Sequence, residues 1–302
     1  MYLHENKDLF EKLIIETANE KKVLYEIVEK DYYVTIFLKE LVKEVPDIIF
    51  KGGTSLSKCF KLINRFSEDI DLNVITDNKI SNSKRKKVKY SIVKVAEKLS
   101  FPILNIEDTR SRRDYNLYKI EFDTLFSGFA VKNSILIETF FSIRSFPVIK
   151  EKVNCLLYDY IKSNDQLKFL STKYDLEDFS LYVQTIERTF IDKVYALCEY
   201  YLKNKVERYS RHLYDIHKLF PMIKFDNDFK KLVNEARNAR FSNQNSLSML
   251  DDKNVNDLLN EVINKNYYKS DFAALTANLL FEKISYEEVI ITLKKVIQMN
   301  IF

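Results

Sequence analysis

The stretch IIFKGGTSLSKCFKLINRFSEDIDLNVI, residues 48–75, decides how the N-terminal half of this chain folds. Gly52 and Gly53 are two of the three glycines in 302 residues, and they follow an apolar run typical of a short buried strand. Asp69 and Asp71 flank one isoleucine in a segment that alternates polar and apolar residues, as half-buried strands do. The stretch predicts a strand, a tight glycine turn, a short helix and a second strand.

The glycine turn has a chemical and a purely structural interpretation. Glycines let the backbone turn sharply and let another group approach it closely. Thr54 or Ser55 could cap a helix over residues 56–63, and the free N–H groups at that helix start would suit a phosphate. A simple connecting turn is an equally valid interpretation, because glycine turns are common. The absence of a GxxxxGK pattern here excludes a Walker-type site.

Asp69 and Asp71 predict a site for a divalent cation. Side chains two residues apart on a strand project from the same face, and neighbouring carboxylates repel each other unless a cation lies between them. Mg²⁺ prefers such hard oxygen ligands, often together with substrate phosphates. The alternative is a solvated strand face. A third acid would complete a two-metal centre for phosphoryl transfer, and Glu138 is preferred to Glu121 because its setting is more apolar.

Periodicity elsewhere predicts an α+β protein with an all-helical C-terminal part. The expected helices cover residues 9–20, 22–45, 82–99, 180–204, 211–220, 228–237, 254–265 and 286–298. The expected β-rich segments cover residues 101–108, 115–126 and 133–143, the last two as a hairpin around Ser127-Gly128. We therefore expect an α/β domain with N-terminal helices over residues 1–165 and a helical domain over residues 166–302.

Composition narrows the class of protein. The formal net charge is only +4, although SKRKKVK at residues 83–89 is a local basic run. The three cysteines are far apart and form no CxxC pair, which argues against a disulfide framework or a structural zinc site. No signal-peptide pattern and no apolar stretch of about 18 residues is present, so we expect a cytoplasmic protein without a membrane span.

FKGGTSLSK followed by RFSEDIDL closely resembles the signature of AbiEii/AbiGii-type nucleotidyltransferases. These are bacterial toxins of toxin–antitoxin and phage abortive-infection systems, within the polymerase-β-like nucleotidyltransferase superfamily. Two later segments also resemble family motifs: ERTFIDKVYAL, which contains Lys193, and SRHLYDIHKL, which contains Arg211 and Asp215. The resemblance spans residues 30–220 and implies a polymerase-β-like domain with a mixed sheet flanked by helices, followed by the helical domain.

The resemblance also implies roles for individual residues. Asp69 and Asp71 would bind Mg²⁺ or Mn²⁺ with a third acid, for which this chain has a glutamate, and Lys193 would reach the triphosphate of an NTP substrate. Asp215 would be an essential acid that orients Lys193 or the attacking hydroxyl. The implied catalytic residues are Asp69, Asp71, Glu138, Lys193 and Asp215. The implied nucleotide contacts are Gly52, Gly53, Thr54, Ser55, Lys58, Lys193 and Arg211.

The resulting hypothesis is transfer of a nucleoside monophosphate to an acceptor hydroxyl, with a cognate antitoxin as partner. Some family members extend the 3′ end of tRNA, and the basic run Lys84–Lys89 could contact an RNA backbone or be a solvated helix face. Protein AMPylation is the competing acceptor class. A nucleotide- or partner-binding module without turnover is the alternative from another functional class, and a glycosyltransferase using a DxD motif is a weaker one.

Overall fold

The computed structural model describes residues 1–65, 67, 69–77, 79–126, 132–241, 246–249 and 253–302. The chain forms two units. The first, here called the sheet unit, comprises Met1–Cys59, Glu68–Phe141 and Val148–Val183. The second, here called the helical unit, comprises Phe60–Ser67, Ser142–Pro147 and Gln184–Phe302. Both units are discontinuous in sequence, where the sequence analysis expected one boundary at residue 165.

Six described strands form one mixed sheet with the order β3-β4-β2-β1-β6-β5. The strands are β1 (Ile48–Lys51), β2 (Asp69–Val74), β3 (Tyr115–Glu121), β4 (Ser134–Phe140), β5 (Val148–Val153) and β6 (Phe179–Gln184). The β1–β2 and β3–β4 pairs are antiparallel, whereas the β2–β4 and β1–β6 pairs are parallel. The α+β class and the mixed sheet agree with the sequence-based prediction.

The core of the sheet unit lies between the sheet and its helices. These are α1 (Lys7–Lys21), α2 (Tyr25–Glu44), α3 (Gly52–Lys58), α4 (Asn82–Lys98), α5 (Leu156–Ser163) and α6 (Phe169–Lys173). Helix α2 packs against α1, α4, α5 and β4, and its Tyr32, Phe37 and Leu41 are fully buried. On β2, Ile70 and Leu72 are fully buried while Asp69 and Asp71 are half-buried, so alternation separates a core face from a carboxylate-bearing face.

The helical unit is arranged around one long buried helix. Its helices are α7 (Ile186–Leu202), α8 (Arg211–Leu219), α9 (Asn227–Phe241), α10 (Val255–Asn264), α11 (Lys269–Asp271), α12 (Ala277–Leu279) and α13 (Tyr286–Gln298). Helix α7 packs against α8, α9 and α10, and α13 packs against α8 and α10. Among the described residues, no helix is both long enough and apolar enough to cross a membrane.

Three sequence-based boundaries are wrong. The expected helix over residues 180–204 begins with strand β6, because Leu181 and Val183 alternate into the core, and Thr185 then caps α7 by accepting from the N–H of Arg188. The expected strand at 101–108 is an isolated bridge at Ile103 followed by a 3₁₀ turn. Strands β3 and β4 form the expected antiparallel pair, and the predicted turn at 127–128 lies outside the described residues.

The third wrong boundary concerns α3, which was expected over residues 56–63. The helix begins at Gly52 and ends at Lys58, and Lys51 at its N-cap makes no side-chain capping bond. Thr54 and Ser55 cannot cap the helix because they lie inside it. The helix therefore follows β1 directly, without an intervening loop.

Candidate functional site

The glycine turn leaves space for the side chain of Asp71 next to Gly52. Gly52 has φ +77°, a conformation that L-residues with a side chain rarely adopt. A Cβ atom at this position would lie 1.8 Å from Oδ2 of Asp71 and 2.8 Å from its Cγ. The backbone conformation thus favours glycine, and a side chain at this position would displace the Asp71 carboxylate. A group does approach the turn closely, as predicted, and this group is the Asp71 carboxylate of the DxD strand.

The hydroxyls next to the turn form hydrogen bonds inside the sheet unit. Thr54 Oγ1 donates to the carbonyl oxygen of Asp69 at 2.5 Å, and Ser55 Oγ donates to that of Gly52 at 2.9 Å. Both residues are almost fully buried. Because a hydroxyl has a single O–H donor, neither side chain has a donor left for a phosphate. Thr54 therefore ties α3 to the start of β2, and a phosphate contact from either hydroxyl is not supported.

Lys58 is likewise held within the sheet unit. Its buried ammonium lies 2.5 Å from Oδ1 of Asp31 on α2, and Oδ2 of Asp31 accepts from the N–H of Leu156. This ion pair joins α3, α2 and the start of α5. We therefore leave Lys58 out of the nucleotide site that the resemblance implies.

The strand register brings two of the three candidate acids together. Asp71 on β2 and Glu138 on β4 are direct partners in the parallel pair, and Asp69 pairs with Leu136. Side chains of directly paired residues share a face of the sheet, so Asp69, Asp71 and Glu138 all lie on the carboxylate face. Glu138 is half-buried there.

Glu121 occupies a different part of the same face. It pairs with Ser134 on β4, four residues along the strand from Glu138. At about 3.3 Å per residue, this separation is roughly 13 Å. The register therefore favours Glu138 over Glu121 as the partner of Asp71, as the sequence analysis preferred on grounds of polarity.

The donor set on this face suits a hard divalent cation. Carboxylate oxygens are the ligands that Mg²⁺ prefers, and Mg²⁺ is commonly held by one or two carboxylates plus substrate phosphates. Within the described part of the chain, no group of three or more His, Cys, Asp or Glu side chains is gathered as a complete metal site. Asp71 and Glu138 thus fit a cation that takes its remaining ligands from a nucleotide and water.

In the helical unit, two cationic side chains meet at a buried carboxylate. Arg65 forms a two-pronged ion pair with Asp215, with Nε–Oδ1 at 2.7 Å and Nη2–Oδ2 at 2.9 Å. Lys193 Nζ lies 2.8 Å from Oδ2 of the same carboxylate. Asp215 is fully buried, and the two cations are nearly so. Lys193 and Asp215 come from two separate motifs, for which the resemblance implied a possible contact, and the structure places them in contact.

Electrostatics fix the charge state of Asp215. Burial alone would raise the pKa of this carboxyl, but the adjacent charges of Arg65 and Lys193 outweigh it and hold the pKa well below its usual range. Asp215 is consequently ionised at any physiological pH and cannot act as a proton donor. Its contact with Lys193 is compatible with an orienting role, one of the two that the resemblance left open for it.

Helix α8 carries further ionisable side chains, including Arg211, His212 and His217. Arg211 is half-buried at the start of the helix. The ion pairs described above join Asp215 to Arg65 and Lys193. Burial, followed by the charges of Lys193 and Arg211, lowers the pKa of His212 well below its ordinary value, so this ring is neutral. His217 Nδ1 contacts the Thr292 hydroxyl at 2.8 Å, an ordinary packing interaction.

Sequence reasoning missed two residues of these clusters. Arg65 was assigned no role, although it lies in the RFSEDIDL signature, four residues before Asp69. Its charge and its place in this specific motif could have indicated a role for Arg65. Lys51 was also overlooked; it pairs with Asp71 across the antiparallel β1–β2 ladder, and its ammonium lies 5.4 Å from the centre of the Phe140 ring.

Comparisons with known proteins agree with this description. The family profile described as "Nucleotidyl transferase AbiEii toxin, Type IV TA system" matches residues 36–290. The fold is similar to that of MenT4, a nucleotidyltransferase toxin from Mycobacterium tuberculosis, with 15% sequence identity, a TM-score of 0.50, and coverage of 96% of this chain and 88% of that chain.

A second solved structure, JHP933 from Helicobacter pylori, matches with 17% identity and a TM-score of 0.46, covering 90% of this chain and 91% of that chain. The sequence matches no curated protein. The family match extends over most of the chain and includes the glycine turn, the DxD strand and the motifs of α7 and α8. The chain belongs to the AbiEii family of nucleotidyltransferase toxins of type IV toxin–antitoxin systems.

Proposed function

We propose that this nucleotidyltransferase toxin moves a nucleoside monophosphate from an NTP to the hydroxyl at the 3′ end of a tRNA. The bond between the acceptor oxygen and the α-phosphorus forms, the bond from that phosphorus to the β-phosphate oxygen breaks, and pyrophosphate leaves. The observation that carries the proposal is the direct pairing of Asp71 with Glu138 on the carboxylate face, in a chain of this family.

Asp69, Asp71 and Glu138 would hold a divalent cation, Mg²⁺ or Mn²⁺. When bound, such a cation neutralises phosphate charge and makes an acceptor hydroxyl easier to deprotonate. Glu138 receives the proton of the acceptor hydroxyl in this scheme. Gly52 keeps Asp71 in place, because any side chain at position 52 would occupy the volume of its carboxylate.

Lys193 is our candidate for stabilising the charge that develops on the leaving pyrophosphate. The lysine ammonium has three donors, and the contact with Asp215 uses one of them. Asp215 in turn is fixed by the fork of Arg65. We retain Arg211 and the backbone of Gly53 as proposed nucleotide contacts from the family resemblance.

The test is transfer of label from α-³²P NTPs, each of the four in turn, to cellular RNA and to protein. Asp71→Asn and Glu138→Gln are near-isosteric and should abolish transfer while leaving the thermal unfolding midpoint close to that of the wild type. Glu121→Gln is the matched control, since it removes a carboxylate from the same face at a different register position. Transfer that survives in Asp71→Asn would contradict the assignment.

The same assay separates the alternative functions. Label on RNA that maps to the 3′ end of tRNA supports the proposed acceptor, and label on protein supports AMPylation instead. Binding of NTP without any covalent label would favour a binding module. A role in phage defence belongs to the proposal as well, and survival of phage-infected cells that express the wild type or Asp71→Asn with the cognate antitoxin would test it.

A further inference from the structure

The basic run at the start of α4 divides into two sets in the folded sheet unit. Lys84 Nζ lies 2.5 Å from Oδ2 of Asp47, and Arg85 Nη2 lies 2.5 Å from Oδ1 of Asp114. Lys86 and Lys87 are exposed and form no ion pair with any described residue. The first set is structural, so any ligand of this run must be recognised by the second.

Lys86 and Lys87 continue a run of cations that begins in the first turn of α4 with Lys84 and Arg85. The N-terminus of an α-helix carries partial positive charge, so cations there are destabilising and acids are favoured. Helix α4 begins at Asn82 and has no acidic residue in its first turn. Residues that destabilise the element in which they lie, without an interaction that offsets the cost, are expected mainly at functional sites. Lys86 and Lys87 are the members of this consecutive run that are exposed and form no ion pair with a described residue, so they are available to a negatively charged partner.

A second group of cations lies on a loop that is bonded to α4. Arg110, Arg112 and Arg113 are exposed on the loop that leads into β3. Lys89 Nζ donates to the carbonyl oxygen of Thr109 at 3.0 Å, and the Arg85–Asp114 pair holds the other end of the loop. Both ends of the arginine loop are thus tied to α4.

The backbone of this loop is fixed as well. The side chain of Asn116, which is buried, accepts from the N–H of Arg110 at 2.8 Å and donates to its carbonyl oxygen at 3.0 Å. The loop is therefore prearranged, which lowers the entropy cost of binding through its arginines.

Basic residues outnumber acidic residues on this surface by two to one. Its eight basic residues are Lys84, Arg85, Lys86, Lys87, Lys89, Arg110, Arg112 and Arg113. Its four acidic neighbours are Asp47, Glu107, Asp108 and Asp114. Eight minus four gives a local excess of +4. This local excess gives the surface a positive electrostatic potential.

Two exposed aromatic rings accompany these charges. Tyr90 is 66% exposed and lies one helical turn after Lys86 on the solvent face of α4. Tyr115 is 45% exposed at the start of β3, where it pairs with Phe140. Its neighbour on the same face, Leu117, pairs with Glu138. The arginine loop therefore reaches the end of the sheet that carries the proposed catalytic acids.

We propose that Lys86, Lys87, Arg110, Arg112, Arg113 and Tyr90, here called the basic face, bind the phosphate backbone of the acceptor RNA. This inference rests on the proposed function and names the surface that recognises its acceptor. Arginine forks and lysines neutralise phosphates, and an exposed tyrosine ring can stack on an unpaired base. The combination favours RNA over an acidic protein, which offers charge but no bases to stack.

The experiment measures binding of labelled total tRNA at several salt concentrations, with EDTA present and NTP absent. Replacing Lys86 and Lys87 together by glutamine should weaken binding about tenfold near 0.1 M salt. The slope of log K against log salt should become shallower by about 1.5, because each lost phosphate contact removes roughly 0.7–0.9. Replacing the three arginines by glutamine should flatten the slope further.

The matched control is Lys230→Gln with Lys231→Gln. These adjacent lysines are also exposed on a helix, α9, and form no ion pair with any described residue, so the change in net charge is the same. tRNA affinity within twofold of the wild type for the Lys86/Lys87 variant would overturn the proposal. Equal competition by polyglutamate and by tRNA would also overturn it, in favour of an acidic protein.

These outcomes are independent of catalysis. The binding assay contains neither NTP nor a free divalent cation, so a failure of the proposed chemistry leaves it unaffected. If the wild type labels tRNA but the variants bind tRNA normally, the basic face is wrong and the proposed function stands.

Discussion

Replacing Gly52 by alanine should separate the chemistry of the site from the stability of the fold. The substitution adds one methyl group at a position with φ +77°, 1.8 Å from the Oδ2 atom of Asp71. Ordinary van der Waals contact begins at 3.4 Å, so the oxygen must move by about 1.6 Å (3.4 minus 1.8) if the backbone stays in place. The Asp71 carboxylate cannot then keep its position beside Glu138.

The substitution should reduce the stability of the fold only slightly and the rate of nucleotide transfer strongly. The left-handed backbone conformation costs an alanine about 1–2 kcal/mol, a modest fraction of the stability of a folded domain. A misplacement of about 1 Å in a catalytic group can reduce a rate by roughly 10²-fold. We therefore expect Gly52→Ala to lower the unfolding midpoint by only a few degrees and to lower nucleotide transfer at least about 100-fold.

The assay pairs transfer of label from an α-³²P NTP with thermal unfolding of the same preparation. Ile92→Val is the control: it removes one methylene from a fully buried residue of α4 and should cost about 0.5–1.5 kcal/mol without touching β2. It should keep near-normal transfer. If Gly52→Ala retains transfer within threefold of Ile92→Val, the close approach to Asp71 has no catalytic meaning.

The other predictions concern the buried charges and the Thr54 clamp. Arg65→Gln should reduce transfer by about 10²-fold because the Asp215 carboxylate and hence Lys193 lose their fixed orientation, and Arg65→Lys should recover part of the rate; equal rates for the two variants would contradict a positioning role. Asp215→Asn should cost about 3–5 kcal/mol at pH 7, because two buried cations lose their partner. The folded carboxyl has a lowered pKa, so its contribution is fully present above about pH 4 and declines below it as the unfolded carboxyl takes up protons; denaturant titrations should show the gap between the two proteins narrowing there. Thr54→Val should cost about 0.5–1.5 kcal/mol in the same titrations by removing the hydrogen bond from the hydroxyl to the carbonyl oxygen of Asp69, and a neutral effect would show that the hydroxyl does not hold β2.

Most of the fold follows from patterns that are local in sequence. Helices α1, α2, α4 and α13 lie where apolar residues recur at three and four positions, and β2 lies where polar and apolar residues alternate. Strand β6 was missed because it runs into α7 through a single capping residue, Thr185, so strand and helix form one apolar stretch. A boundary of this kind depends on the pairing of β6 with β1, which is a tertiary contact.

The sequence allowed the types of residue in the candidate site to be predicted, but only part of their arrangement in space. The DxD spacing correctly placed Asp69 and Asp71 on one face, because the period of a strand is a local property. The direct partnership of Asp71 with Glu138 depends on register between strands more than 60 residues apart, which spacing does not reveal. The motif also does not reveal that Thr54 Oγ1 donates to a backbone carbonyl and that the Lys58 ammonium pairs with Asp31, because both contacts depend on the fold.

The most direct test of the account is a titration of Mn²⁺ binding by electron paramagnetic resonance in the presence of a non-hydrolysable NTP analogue. The wild type and Glu121→Gln should bind the ion with similar affinity, whereas Asp71→Asn and Glu138→Gln should lose binding at least about tenfold. Equal Mn²⁺ affinity in all four proteins would show that the paired acids of β2 and β4 are not the metal ligands.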